Sequence, residues 1–217
     1  MSILLSFFSS TAEARPPEWQ VPYPEEWWRP VPREGAPSWE LLPQDAGFGE
    51  VILSKRHELG ILSNFAATPF TLDGARYASV EGLWQMMKYP EGEADERLRD
   101  PSIHWPHTRA EVAEMTAFEA KEAGNKANEL MKRLGIRWVT YQGRRMDYLE
   151  KVKGDFFRVI QRAEWEKLRQ NPRVKEVLLR TGALKLRPDH TQAPDSPPAW
   201  LYAELWMEIR EELRQQK

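Results

Sequence analysis

Glu81, Gln85 and Lys88 stand at i, i+4 and i+7. On a helix this spacing lines up a carboxylate, an amide and an ammonium along one stripe. A carboxylate can exchange protons with a substrate or a water, and an ammonium can hold an anion. The same spacing also describes a solvated helix face with an i+7 charge arrangement, so position alone leaves both readings open. His104-Trp-Pro-His107 brings two imidazoles together. Pro106 breaks any regular spacing and no third ligand stands nearby, so no metal site is expected. The chain has no cysteine, which excludes disulfides, thiolate metal sites and a cysteine nucleophile. It carries no P-loop, no GxGxxG and no Gly-x-Ser-x-Gly.

The stripe needs a helix to carry it. Val80, Leu83, Trp84 and Met87 recur at i, i+3, i+4 and i+7, which predicts a helix over residues 79–88 with a buried face; Pro90 ends it. Before it, residues 69–72 and 75–78 flank Asp73-Gly74, a strong signal for a two-residue hairpin turn. Val51, Ile52 and Leu53 suggest a first strand, and the folded part starts near Phe48. Residues 91–108 are polar and interrupted by proline, so they read as a loop. Thr116-Ala-Phe-Glu119 has the pattern of a capping box opening a helix that runs to Leu134. A further helix is expected from Gly143 to Ala163, with Met146, Leu149, Val152, Phe156, Val159 and Ile160 inward. Asn171-Pro172 starts another helix and Gly182 stops it. Leu184–Leu186 suggests a short strand, and Ser196 with two prolines precedes a last helix whose Leu201, Leu205, Ile209 and Leu213 recur every fourth residue. These elements predict a helix-rich α+β single domain around a small antiparallel sheet, residues 46–217.

Residues 1–45 differ. Prolines at 16, 17, 22, 24, 30, 32, 37 and 43 alternate with Trp19, Trp27, Trp28 and Trp39. That density of proline disfavours helix and central strand and is also found in disordered tails. Exposed indole is costly, so the extension is expected to lie as an arm against the main domain or a partner.

The charge balance, 31 basic against 33 acidic side chains, offers no global attraction to nucleic acid or anionic membranes. Lys151, Lys153, Arg158 and Arg162 form one local basic cluster, which reads as a solvated face or as a contact for nucleic acid. No apolar run is long enough to span a bilayer. The apolar stretch Met1–Phe8 is short and has no preceding basic residue, so the expected location is the cytoplasm.

A resemblance then bears on the stripe. Leu62-Ser-Asn-Phe65, Pro69-Phe70, Leu72-Asp-Gly74, Tyr77 and Ser79-Val-Glu81-Gly-Leu-Trp84-Gln85-Met-Met-Lys88 together resemble the opening motifs of the NADAR family, which includes riboflavin-intermediate N-glycosidases. Later stretches follow in order. Ala120-Lys-Glu-Ala-Gly124 resembles the family's Ala-x-x-x-Gly turn, and Trp138 with Met146 its tryptophan–methionine segment. Leu178-Leu-Arg-Thr-Gly182 resembles its helix stop, and Asp195, Trp200 and Trp206-Met-Glu-Ile-Arg210 its closing motif. The chain departs from the pattern twice. Gly82 stands where the family usually has histidine, and Trp200-Leu-Tyr-Ala-Glu204 lacks the family's glycine-rich run, whose backbone amides would suit phosphate.

The resemblance implies hydrolysis of the C–N bond between ribose C1′ and a nitrogen heterocycle, with no cofactor. The implied partner is a small nucleotide-like substrate, such as a riboflavin-pathway pyrimidine, or ADP-ribosylated nucleic acid carrying ADP-ribosyl guanine. It implies Glu81, Lys88 and Asp195 as catalytic groups. Glu81 would stabilise positive charge at C1′; Lys88 would hold phosphate or form a Schiff base with ring-opened ribose; Asp195 would assist departure of the base or bind ribose hydroxyls. Asn64, Trp84, Gln85, Trp200 and Arg210 are the implied binding residues, the tryptophans stacking on the heterocycle. Each has a plainer alternative. Trp84 lies on the apolar stripe as a core residue would, Asp195 is placed to cap the last helix, Asn64 to fix a turn, and Arg210 to pair on a helix surface. Two other functional classes fit the sequence: a non-catalytic ADP-ribose or nucleotide-binding module, and an interaction protein acting through the Pro/Trp arm.

Overall fold

The computed structural model describes residues 23–216; Met1–Phe8, Trp19 and the first three prolines of the arm lie outside them. In chain order the elements are β1 (Glu50–Ile52), β2 (Phe70–Leu72), β3 (Ala75–Tyr77), α1 (Val80–Met86), α2 (Arg109–Ala113), α3 (Ala117–Arg133), β4 (Val139–Tyr141), β5 (Arg144–Met146), α4 (Asp155–Gln170), α5 (Pro172–Arg180), β6 (Lys185–Arg187) and α6 (Tyr202–Gln215). The class is helix-rich α+β. Its β structure is divided into three pairs: β1 with β6 in parallel, and two antiparallel hairpins, β2–β3 and β4–β5. The parallel pair joins the two ends of the sequence, with Val51 opposite Leu186.

The β2–β3 turn is Asp73-Gly74, both with positive φ (51° and 82°), the geometry that matches the twist of a hairpin. It delivers the chain to α1, where Ser79 is the N-cap: its Oγ accepts from Gly82 N at 2.9 Å and donates to Met115 O at 2.9 Å. Val80 and Leu83 are wholly buried, while Gly82 and Gln85 face α2 and α3.

Two expected elements are corrected. Thr116 makes no side-chain cap, and the chain enters α3 through Ala117 at φ 49°. A capping box forms instead at Thr108 and Glu111, opening α2. The helix expected from Gly143 begins only at Asp155. Gln142 and Gly143 both take positive φ (50° and 72°), so the chain reverses there and pairs Val139 with Met146. The apolar spacing from Met146 to Val152 is not a helical face, because Leu149 and Val152 are 38% and 66% exposed.

The core runs between α1, α4 and α6, with Phe156, Ile160, Trp206 and Ile209 fully buried. The described part of the arm joins it. Trp27 is wholly buried and donates from Nε1 to Glu58 Oε1 at 2.9 Å, and Trp28 donates to Glu50 O at 2.9 Å. No helix among the described residues is long and apolar enough to cross a membrane.

Candidate functional site

The site starts from the first turn of α1. Glu81 N donates to Asn64 O at 3.0 Å, which hooks the Ser63–Phe65 loop to the helix start. The Glu81 side chain is only 5% exposed, and its Oε1 accepts from Gln85 Nε2 at 2.7 Å. Gln85 can take this pose because residue 124 is glycine: a Cβ there would lie 1.7 Å from Gln85 Oε1. Gly124 therefore belongs inside α3, a correction to the turn implied by the resemblance. Glycine inside a helix costs about 1 kcal/mol relative to alanine, and here it makes room for the group that orients Glu81. Gly82 has a similar explanation. Its missing Cβ would lie 2.6 Å from Met115 O and 3.0 Å from Val112 O. Position 82 thus faces the end of α2, with no space for a histidine.

Glu81, Trp84 and Gln85 form part of the wall of a cleft of about 660 Å³. Asn64 and Phe65 come from the loop before the first hairpin, Phe118 and Lys121 from α3, and Trp200 from the segment leading into α6. Trp84 and Trp200 lie with ring centroids 5.7 Å apart, tilted by 42°, and Trp84 also meets Phe156 edge-on at 5.5 Å. Trp84 is thus both core and wall. Four polar atoms on these residues are buried without a hydrogen-bond partner in the protein: Asn64 Oδ1, Gln85 Oε1, Trp84 Nε1 and Trp200 Nε1. A buried, unpaired donor or acceptor costs roughly 1–3 kcal/mol. All four are closed to solvent, and Gln85 Oε1 faces Gly124 of α3.

Burial pushes the Glu81 carboxyl above its ordinary pKa, opposed by the Gln85 hydrogen bond and by the positive charges of Lys121, Lys88 and Lys55. Lys88 lies just beyond the end of α1. Burial brings its ammonium down to about 7, against the attraction of Glu81 and with the help of Lys121. Its Nζ stands 5.8 Å above the Tyr148 ring. Lys88 is 4% exposed and does not line the cleft, so it acts on Glu81 through charge. Lys55 does line it, 5.0 Å from the Phe65 ring and paired with the buried Asp189. Burial raises the Asp189 carboxyl, but hydrogen bonds from His190 and Lys55 outweigh it and hold the group below its ordinary value.

Besides Lys88, two expected site residues lie outside the cleft wall. The Asp195 side chain is 86% exposed and faces Lys151 at 3.6 Å. The turn closed by Ser196 N donating to Ala193 O carries it outward, while Ala193 and Ser196 themselves line the cleft. Arg210 is buried, but it donates to Thr181 Oγ1 at 2.6 Å and ties α6 to the end of α5; it takes no part in the cleft wall. The basic cluster is neutralised by neighbours: Lys153 by Glu208, Arg158 by Asp155, Arg162 by Asp73 and Lys151 by Asp195. Lys151 and Lys153 precede α4 and are not on it. Among the described residues no group of three or more His, Asp or Glu side chains is placed to hold a metal ion.

Sequence reasoning missed Lys55, Lys121, His190, Phe118 and Trp39 as cleft residues. Lys121 had a local signal, since it follows Phe118 by three on α3. Lys55 and His190 reach the cleft only through the β1–β6 pairing, which joins residues more than 130 positions apart.

No protein-family model matches the chain, and no curated protein does. Among solved structures, the NMR structure of the E. coli protein YbiA is similar with a TM-score of 0.47 and 21% identity, over 86% of this chain and 95% of that one.

Proposed function

We propose that the chain is an N-glycosidase that hydrolyses the bond between ribose C1′ and a nucleobase-like heterocycle, the sugar being a ribose phosphate or ADP-ribose. The observation that supports this most is the buried Glu81 carboxyl group, oriented by Gln85, in the wall of a cleft that also carries Asn64, Trp84 and Trp200. The ordered resemblance to the NADAR motifs points the same way.

In this reading the heterocycle lies against Trp84 and Trp200. The C1′–N bond breaks, its electron pair leaves with the base nitrogen, and positive charge develops at C1′. The Glu81 carboxylate stabilises that charge, its position fixed by Gln85 before the substrate arrives. A water then adds its oxygen to C1′ and gives a proton to Glu81, which passes it to the departing base. Lys121 and Lys55 place positive charge at the cleft, serving phosphate where the family's glycine-rich run is missing.

The test is incubation with ribosylaminopyrimidine phosphate, ADP-ribosyl guanosine and ADP-ribosylated oligonucleotides, followed by mass spectrometry of the products. Release of the free pyrimidine with ribose phosphate, or of guanosine or unmodified oligonucleotide with ADP-ribose, supports the reading. A second reading, a module that binds ADP-ribose without cleaving it, is favoured by one observation: of the three expected catalytic groups only Glu81 lines the cleft. Calorimetric binding of ADP-ribose with no product from any substrate would select it.

A further inference from the structure

We infer that Trp39, carried by the N-terminal arm, is a substrate-positioning residue of the Glu81 cleft, stacking on a planar ring that the substrate carries beyond its ribosyl phosphate. The inference rests on the reading above and narrows its substrate class.

Trp39 lines the same cleft as Glu81, although it comes from the N-terminal arm, ahead of every other wall residue in sequence. The backbone around it is fastened to that wall. Glu40 bridges to His190, Leu41 N donates to Asp189 O at 2.8 Å, and Arg56 grips both Glu40 carboxylate oxygens at 2.7 Å. The bidentate grip fixes direction as well as distance. His190 is itself part of the cleft wall, and Asp189 beside it holds Lys55.

The indole is treated differently from its backbone. Trp27 of the same arm is wholly buried, whereas Trp39 is 47% exposed and meets no aromatic ring among the described residues. A large apolar ring held half in water by an anchored backbone, at the edge of a cleft, is a stacking surface ready for a ligand. Phe118 makes a second aromatic edge on α3; it is 61% exposed and braced edge-on by Phe65 at 5.3 Å. Lys121, one turn along α3, is exposed and has no ion-pair partner among the described residues. Aromatic faces beside a free cation suit a ring joined to ribose through phosphate. ADP-ribose has that second ring; a ribosylaminopyrimidine phosphate does not.

The experiment is calorimetry of the whole chain with two probes, ADP-ribose and ribose 5-phosphate, on the wild type, Trp39→Ala and Trp39→Phe, each checked for an unchanged thermal midpoint. The wild type is expected to prefer ADP-ribose. Trp39→Ala should weaken ADP-ribose binding by roughly tenfold, as for loss of one stacked base, and leave ribose 5-phosphate unchanged, while Trp39→Phe keeps most of the preference. The inference is overturned if the wild type shows no preference, if Trp39→Ala binds ADP-ribose like the wild type, or if both variants weaken both probes equally. Binding is read without turnover, so the two claims separate. Selective loss in Trp39→Ala with no guanosine released by the wild type sustains Trp39 and refutes hydrolysis. Guanosine release from ADP-ribosyl guanosine with an unchanged KM in Trp39→Ala sustains hydrolysis and refutes Trp39.

Discussion

The Gln85 amide lies where a side chain on residue 124 would have to go, with Gln85 Oε1 only 1.7 Å from the position of a Cβ on Gly124. Because the same amide donates to Glu81 Oε1 at 2.7 Å, a glycine inside α3 sets the orientation of a carboxylate on α1. Gly124→Ala should therefore displace Gln85 and release Glu81. Base release is expected to fall at least tenfold while the helix, gaining up to about 1 kcal/mol of propensity, keeps its far-UV circular dichroism. Steady-state kinetics beside circular dichroism checks this; an unimpaired Gly124→Ala would show that the Gln85 contact does not matter.

Gly82 tests whether the chain has room for the histidine found in the NADAR pattern that it resembles. Met115 O stands 2.6 Å from the position of its absent Cβ, so Gly82→His is expected to separate α1 from α2, to cost about 1–3 kcal/mol as overpacked cores do, and to add no activity. Urea denaturation measures the loss. A variant as stable as the wild type would mean that α1 shifts freely at this point.

Burial raises the pKa of Glu81 in the folded protein, so its stabilising contribution is whole below the unfolded carboxyl value and declines as pH rises through the folded one. Glu81→Gln removes that decline and preserves an oxygen for Gln85 to donate to. Its thermal midpoint is expected to exceed that of the wild type at neutral pH, with the difference shrinking as pH is lowered towards 4.5. Thermal unfolding across this range decides the point, and a midpoint difference that does not depend on pH would contradict it.

Lys88 has the opposite linkage. Its folded pKa, lowered from 10.5 to about 7, favours the neutral amine, so its contribution is present above 10.5 and is lost as pH falls through about 7. Lys88→Met should be more stable than the wild type by an amount that grows between those limits and levels off below them. Glu81 would also lose one of the charges that favour its ionisation, so the acidic limb of the pH–rate profile should move to higher pH. A profile unchanged by Lys88→Met would remove Lys88 from the account.

Local signals specify the backbone at some positions and not at others: Thr116 with Glu119 has a capping-box pattern, yet the chain enters α3 through Ala117 at φ 49° without that cap. Asp73-Gly74, Ser79 ahead of α1, and Pro172 with Gly182 around α5 each specify their own backbone geometry. Asn64, Glu81, Trp84, Gln85 and Trp200, which the NADAR resemblance implies as site residues, all stand in the wall of one cleft. The helix expected from Gly143 failed because Gln142-Gly143 makes a left-handed turn that an apolar spacing cannot reveal. Asp195 and Arg210 failed for a different reason. Their identity matched a motif, but the direction of their side chains is set by the Ala193–Ser196 turn and by Thr181, contacts that depend on the folded chain. The place of Trp39 in the cleft wall is not visible in the sequence because it depends on Glu40 meeting His190, 150 positions away.

The most direct test compares guanosine release by the wild type and Glu81→Gln on ADP-ribosyl guanosine, with ADP-ribose binding measured on both. The expected result is free guanosine and ADP-ribose from the wild type and neither from Glu81→Gln, which still binds ADP-ribose. Guanosine release by Glu81→Gln at the wild-type rate would contradict the account.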